Sequence, residues 1–163
     1  MNLIGQIINA MIAYYAGDVR RINHFLKVYG FAKAIGEMEG LDEISQEILE
    51  ITALTHDIGI RNSEMKYNSS SGNFQQIEGP PEANKLLERL GIELSVIDRV
   101  CWLIAHHHTY TDINDSDYQI LVEADFLVNA FEDNLPSKAI LSFKDKVFKT
   151  DSGTNMLNSM YLS

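Results

Sequence analysis

The chain is poor in cysteine and proline, and these shortages limit what kind of protein it can be. Its 163 residues include one cysteine, Cys101, and three prolines. A single thiol cannot form an intramolecular disulfide or supply a cysteine-rich metal site, and it is typical of a reducing compartment. We therefore expect a cytoplasmic protein that is stabilised by its hydrophobic core.

Positive charge is also scarce. Lysine and arginine together number 13, against 23 aspartates and glutamates, which gives a net charge of −10. Proteins bind DNA and RNA through patches of lysine and arginine that neutralise the backbone phosphates. The charge therefore argues against a nucleic acid polymer as a partner. It leaves small nucleotides open, because a bound metal ion can hold their phosphates.

Long apolar runs are missing as well. No segment approaches the roughly 18 consecutive apolar residues that a membrane-spanning helix needs, so we expect no membrane partner. Residues 1–16 carry an apolar stripe with helical spacing but lack the lysine or arginine of a signal peptide. We expect this first helix to pack on the domain, with a contact in a homodimer as the alternative.

The apolar periodicity predicts an all-α protein with one domain spanning residues 1–163. A hydrophobic share of 45% is ordinary for a folded soluble protein, and the length suits one domain with a substantial core. Helices are predicted over residues 2–16, 18–39, 43–57, 80–90, 93–108, 116–134, 136–149 and 152–161. Asp18, Asp42 and Ser116 are suited to cap helix starts, and Gly40 and Gly91 to follow helix ends.

The five histidines carry the strongest functional signal. They are His24, His56 and the run His106-His107-His108. Together with Asp57 and Asp125 they give the order H…HD…HHH…D. Imidazole nitrogens and carboxylate oxygens are ligands of divalent cations. Any one of these residues alone is more often a packed or surface residue, so the order and the helical context carry the signal.

Asp125 is expected on an apolar helix face. Leu121, Asp125 and Val128 are spaced i, i+4 and i+7, so they share one side of a helix. An unpaired buried carboxylate is costly, and a bound cation would remove that cost. The alternative is a salt bridge to an arginine, with three candidates: Arg20, Arg21 and Arg99.

His24 and the His56-Asp57 pair are also expected inside the domain. The helix over residues 18–39 is apolar on two sides, so His24 needs an internal polar partner. His56-Asp57 ends an apolar run and precedes Gly59, where we expect a left-handed residue that ends the helix. Near a helix end, two adjacent side chains can turn toward one point, although they would diverge in mid-helix.

With this arrangement the sequence resembles the HD-domain superfamily of metal-dependent phosphohydrolases. The resemblance covers about residues 18–133 and rests on His24 and on segments 53–59, 79–83, 104–108 and 123–125. It implies an all-helical bundle of the HD type, with a metal site among its central helices. It also implies that His24, His56, Asp57 and Asp125 hold a divalent ion. One or two ions are expected, drawn from Mn, Fe, Co, Ni, Zn and Mg.

The sequence departs from the family pattern at one position. Members with two metals usually have a histidine at the helix start that here reads Glu78-Gly79-Pro80-Pro81. Glu78 is the nearest candidate to replace it, as a ligand of a second metal or as a general acid or base. The consecutive histidines match the His-His pair of the two-metal members. At most two of the three can face one cavity. Family position favours His106 and His107 as second-metal ligands, with His108 outside the site or near the substrate.

Residues 60–79 show no convincing periodicity and are predicted to form a long loop. Such loops in compact domains are usually functional or disordered, and both ends of this one border the proposed site. We therefore expect a lid that binds the substrate, with a solvated loop as the alternative. Its cations and hydroxyls suit a phosphate, and the candidate substrate ligands are Arg61, Lys66, Tyr67 and Ser70.

The sequence as a whole predicts a metal-dependent hydrolase of a phosphate ester in a small phosphorylated metabolite, for which a nucleotide is one candidate. Lys66 is expected to stabilise charge on the phosphoryl oxygens, and Glu78 to transfer a proton to the leaving group. Two other functions stay open. One is a non-catalytic module that binds a metal and a nucleotide, and the other is a di-iron oxygenase.

Overall fold

The computed structural model describes residues 2–163, and over that range the chain forms nine helices and no strand. The helices are α1 (Leu3–Tyr14), α2 (Val19–Met38), α3 (Glu43–Thr55), α4 (Ile60–Tyr67), α5 (Gly72–Arg89), α6 (Leu94–His106), α7 (Ser116–Glu132), α8 (Ser137–Val147) and α9 (Asp151–Tyr161). The prediction of an all-α fold is confirmed. None of the described helices is long and apolar enough to cross a membrane.

Helices α2, α3 and α7 pack against one another and form the centre of the bundle. In α7 every residue from position 117 to 128 is buried. In α3 every residue from position 48 to 55 is buried. A helix that is buried on all sides must lie in the interior, where polar side chains need partners. The sequence places His24, His56 and Asp125 on or beside these three helices.

The first helix packs within the chain, as expected. Ile7 and Met11 of α1 are 0% and 1% exposed, and both belong to the hydrophobic core. Tyr15, the C-cap residue of α1, is also inside. It is 4% exposed and donates its hydroxyl proton to the backbone carbonyl of Asp57 at 2.8 Å. The N-terminal segment therefore contacts the loop that carries a proposed metal ligand.

Helix caps follow the sequence predictions at two of three starts. Asp18 and Asp42 each accept a hydrogen bond from a backbone amide in the first turn of the helix that follows. The prediction for Ser116 is wrong, because Asp115 occupies the N-cap position and Ser116 is the first helical residue. Gly40 and Gly91 follow the ends of α2 and α5 with φ of +74° and +73°, the conformation that favours glycine there.

The prediction of a long loop over residues 60–79 is wrong. Helix α4 covers Ile60–Tyr67, and α5 begins at Gly72, so only four residues connect them. Tyr67 and Phe74 stack across this connection with ring centroids 4.1 Å apart. The pattern was hidden because α4 buries only Ile60 and Ser63, which is too few apolar positions to show a period.

Helix α5 also contains the two adjacent prolines in its interior. It runs from Gly72 to Arg89 and passes through Pro80 and Pro81, so the predicted start at residue 80 is wrong. Proline lacks an amide proton and removes a helical hydrogen bond, which is why it usually marks a first turn. The half-buried thiol of Cys101 on α6 donates to the carbonyl of Pro80 at 3.4 Å.

Gly59 is required by close packing and not by a left-handed backbone. Its φ is −77°, which any residue can adopt, so the expectation of a left-handed residue is wrong. A Cβ at Gly59 would lie 2.5 Å from the backbone nitrogen of Gly79, and a Cβ at Gly79 would lie 2.5 Å from Cγ2 of Ile104. The two glycines thus let the turn after His56-Asp57 contact the backbone of α5.

We predict that Gly59→Ala destabilises the fold by about 1–3 kcal/mol, as expected for overpacking against atoms that cannot move aside. The matched control is Gly30→Ala in α2, where a Cβ meets nothing within 4 Å. The control should be neutral or stabilising, since alanine favours a helix over glycine. Urea unfolding of both variants measures the effect, and equal stabilities would contradict the packing argument.

Candidate metal centre

Two histidines and two aspartates converge between α2, α3 and α7. The Nε2 atom of His24 lies 3.0 Å from Oδ2 of Asp57 and 3.2 Å from Oδ1 of Asp125. The Nε2 atom of His56 lies 3.3 Å from each of the same two oxygens. The two Nε2 atoms are 3.3 Å apart. All four side chains therefore direct ligand atoms at one point.

Backbone carbonyls orient two of the buried imidazoles toward this point. The Nδ1 atom of His56 hydrogen-bonds to the carbonyl of Ala53 at 2.8 Å, and Nδ1 of His107 does so to the carbonyl of Ile104 at 2.7 Å. Both rings are fully enclosed, at 0% and 1% side-chain exposure. A proton that is held on Nδ1 leaves the lone pair of Nε2 free for a metal ion.

Two buried atoms of the cluster have no hydrogen-bond partner among the described residues. They are Oδ1 of Asp125 and Nε2 of His107. The Asp125 oxygen lies near His24 and His56 without forming a hydrogen bond of acceptable geometry. Buried polar atoms are rarely left without partners, because their desolvation is not compensated. A divalent cation coordinated by imidazoles and carboxylates would satisfy them, so the residues present fit such an ion.

The two histidines and the two aspartates shift one another's pKa values. Burial by itself lowers the pKa of His24, but the close approach of the negatively charged Asp125 and Asp57 outweighs it and raises that pKa to about 11. The pKa of His56 is raised in the same way, to about 10. Burial favours the neutral form of Asp57 and Asp125, yet the neighbouring histidines hold both pKa values well below the usual range.

A fifth charged group supports His24 from the opposite side. Oε1 of Glu132 lies 2.6 Å from Nδ1 of His24, and Oε2 lies 2.6 Å from the ammonium group of Lys27. Burial raises the pKa of Glu132, but the hydrogen bonds of Lys27 and His24 outweigh that effect and lower it. Sequence analysis missed Glu132, although it follows Asp125 by seven residues and so lies two turns along the same helix face.

The structure directs His107 and His108 toward the cluster, whereas the prediction chose His106 and His107. His106 is the last residue of α6; its Nδ1 hydrogen-bonds to the carbonyl of Trp102 at 2.7 Å, and its ring stacks on Trp102. It therefore points away from the cluster, and its assignment as a second-metal ligand is wrong. Because α6 ends here, His107 and His108 are the two that turn inward. Together with Asp57 they can offer ligand atoms within 4.8 Å of one another.

No described arginine forms the salt bridge with Asp125 that was the alternative to a metal. Arg99 binds Asp115 at 2.9 Å and Asp117 at 2.8 Å. Arg21 pairs with Asp18 and Glu64. Arg20 has no ion-pair partner within residues 2–163. The carboxylate of Asp125 is left to the two histidines.

A cavity of about 560 Å³ opens beside the cluster. Its lining includes three of the four proposed ligands, together with Ser70 and His108, which were predicted to bind substrate. It also includes three polar residues that sequence analysis did not assign to the substrate: Arg20, Gln75 and Asn129. Arg20 and His24 are four residues apart and so share one face of α2. This spacing could have identified Arg20 as a neighbour of the proposed metal site.

Four other predicted substrate or catalytic residues do not line this cavity in the described structure. Lys66 and Glu78 form an ion pair with each other, with Glu78 largely buried. Arg61 donates to the carbonyl of Tyr14 at 3.1 Å, and Tyr67 stacks on Phe74. The assignment of Lys66, Arg61 and Tyr67 depended on the predicted loop, and that of Glu78 on its place before a predicted helix start at residue 80. Helices α4 and α5 replace both features and direct these side chains to other partners.

The residue of α5 that contacts the inward-facing pair His107-His108 is Gln75, whereas Glu78 pairs with Lys66. Oε1 of Gln75 accepts a hydrogen bond from Nε2 of His108 at 2.8 Å, while its amide donates to the carbonyl of Ser70 at 2.6 Å. Burial and the charge of His107 lower the pKa of His108 to about 4, so His108 is neutral near pH 7. Its other ring nitrogen is then available as an acceptor or ligand.

The chain was compared with known protein families. The HD domain family model matches residues 21–142. The chain belongs to the HD domain family. The segment that matches the HD model contains all four proposed ligands and the histidine run.

A solved structure shares the fold. It is a predicted HD superfamily hydrolase from an uncultured Thermotogales bacterium, with 23% sequence identity and a TM-score of 0.67. The similarity covers 99% of this chain and 92% of the other. A search of curated proteins found no match.

We predict that metal binding releases protons at neutral pH. Without metal, His24 and His56 are protonated at pH 7, because their pKa values are raised to about 11 and about 10. A metal ion requires neutral imidazoles, so it must displace these protons, and its apparent affinity should rise with pH toward those values. Calorimetric titration in buffers of different ionisation enthalpy measures the release; a binding enthalpy that is independent of the buffer would contradict it.

Proposed function

We propose that the protein is a metal-dependent hydrolase of a phosphate ester in a small phosphorylated metabolite, with nucleotides as one candidate class. The observation that carries the proposal is the unpartnered Oδ1 of buried Asp125, which faces two imidazole nitrogens. That point borders a cavity large enough for a small metabolite. Membership of the HD domain family supports the same reaction class.

The ligand atoms divide into two overlapping groups. His24, His56, Asp57 and Asp125 would hold one divalent ion, and Asp57, His107 and His108 would hold a second. A bound ion lowers the pKa of water toward neutrality and polarises a phosphoryl oxygen. In this arrangement Asp57 belongs to both groups, and its backbone carbonyl is held by Tyr15.

Arg20 is the residue that we assign to the substrate phosphate. It lines the cavity, and within residues 2–163 its guanidinium makes no hydrogen bond or ion pair. Arginine binds phosphate oxygens through two parallel hydrogen bonds and stays charged at all relevant pH values. The neighbouring Arg21 is unsuited to this role, because Asp18 and Glu64 already occupy it.

The proposed reaction is tested by a screen of phosphorylated metabolites with metal-loaded protein under anaerobic conditions. We expect release of inorganic phosphate, supported by a redox-inert ion, because hydrolysis needs a Lewis acid and water but no oxidant. His56→Ala should abolish turnover while leaving the helical circular dichroism signal intact.

Two results, one from the same screen repeated in air with iron and one from nucleotide titrations, would favour the other functions. Turnover that requires both iron and dioxygen would indicate an oxygenase. Tight binding of a nucleotide by metal-loaded protein without any turnover would indicate a non-catalytic module.

We predict that Arg20→Ala raises KM for the confirmed substrate about 10- to 100-fold, as expected for loss of hydrogen bonds to a charged group. Thermal stability should change little, since Arg20 has no partner within the described chain. The matched control is Arg61→Ala, which removes a second exposed arginine that lies outside the cavity lining. Steady-state kinetics of both variants decide the role, and an unchanged KM in Arg20→Ala would remove it.

A further inference from the structure

His24 differs from the other two buried histidines in the group that holds its Nδ1 atom. His56 and His107 use backbone carbonyls, whereas His24 uses the carboxylate of Glu132 at 2.6 Å. The side chain of Glu132 is 13% exposed, and the ammonium group of Lys27 holds its second oxygen. The site thus has one proposed ligand whose supporting partner is charged and comes from a side chain.

The helices bring this support into place by their spacing. Asp125 and Glu132 are seven residues apart on α7, so both face α2. His24 and Lys27 are three residues apart on α2, so both reach that face of α7. One helix pair therefore presents the ligand carboxylate to one nitrogen of His24 and the supporting carboxylate to the other.

The chemistry of imidazole gives this contact a consequence for the metal. A neutral imidazole carries one proton, and an ionised carboxylate can only accept a hydrogen bond. Glu132 therefore places the proton of neutral His24 on Nδ1, which leaves the Nε2 lone pair directed at Asp57 and Asp125. A carboxylate acceptor also increases the basicity of a ligating histidine.

We infer that Glu132 is a positioning residue that sets the tautomer, the orientation and the donor strength of His24 toward the divalent ion, with Lys27 fixing Glu132 in turn. This inference rests on the proposed metal binding by His24. It differs from a purely structural ion pair between α2 and α7, which would affect only the stability of the protein and leave metal affinity unchanged.

The first test measures Zn²⁺ affinity of the full chain by competition with a chromophoric chelator. Glu132→Gln keeps the size of the side chain but removes its charge and its restriction to accepting hydrogen bonds. We expect it to weaken Zn²⁺ binding about 10- to 100-fold, and the melting temperature of metal-free protein should fall as well, because Glu132 pairs with both His24 and Lys27. The matched control is Glu37→Gln, which removes the exposed ion pair between Glu37 and Lys33 on α2 and should leave Zn²⁺ affinity unchanged.

The second test reads the histidine itself. In Zn²⁺-loaded protein with ¹⁵N-labelled histidine, the Nδ1 proton of His24 should give a strongly downfield resonance, because its acceptor is a carboxylate. That resonance should move upfield in Glu132→Gln. Lys27→Ala should shift it less than Glu132→Gln does, because Glu132 would keep its charge and remain the acceptor.

The possible results separate this inference from the proposed function. If wild-type protein binds no Zn²⁺, the metal site itself is absent and both fail. If wild type binds and Glu132→Gln binds equally well, or loses only thermal stability, the positioning role alone is refuted. A loss as large as that of His24→Ala would also refute it, since Glu132 would then be a ligand.

Discussion

Two carboxylates, Asp125 buried and Asp57 half-buried, approach the same pair of imidazole nitrogens and set the main constraint on this structure. Asp57 and Asp125 both lie within 3.3 Å of His56 Nε2. Like charges this close in a poorly solvated site are unfavourable unless positive charge lies between them. Protons on His24 and His56 supply that charge in the metal-free protein, and a divalent ion would replace them. A divalent ion would therefore take over the charge compensation that the two protons give.

The rest of the bundle holds this charged cluster in a fixed shape. Helices α2, α3 and α7 each contribute to it, so no single element can move without breaking a contact in the cluster. Backbone carbonyls fix two imidazoles, and Glu132 fixes a third. The contact of Gly59 with Gly79 brings α5 against the turn beyond Asp57, which places Gln75 and His108 on the cavity wall.

Sequence analysis succeeded where the signal is local and failed where it depends on contacts between distant segments. All eight predicted helical regions contain helices, because each has a clear apolar period. Helix α4 has none, so residues 60–79 read as a loop and their cations as substrate ligands. The sequence did not predict the ion pair between Lys66 and Glu78, because that pair depends on α5 beginning at Gly72 and not at residue 80.

The sequence also could not decide which of the three consecutive histidines face the cavity. Family position favoured His106, but the choice among three adjacent residues depends on where α6 ends. The helix stops at His106, and the following turn directs His107 and His108 inward. A shift of one residue in that helix end would change which imidazoles face the cavity. Patterns in sequence do not locate helix ends to that precision.

The hydrogen bond from Tyr15 to the carbonyl of Asp57 links the end of α1 to the candidate metal centre. Tyr15 follows a helix that contributes no ligand, yet it restrains the backbone of a residue shared by both proposed ligand groups. Local opening of α1 would release that restraint before any ligand side chain had moved. Substitutions that loosen the first helix are thus expected to loosen Asp57 as well, although the helix lies outside the ligand set.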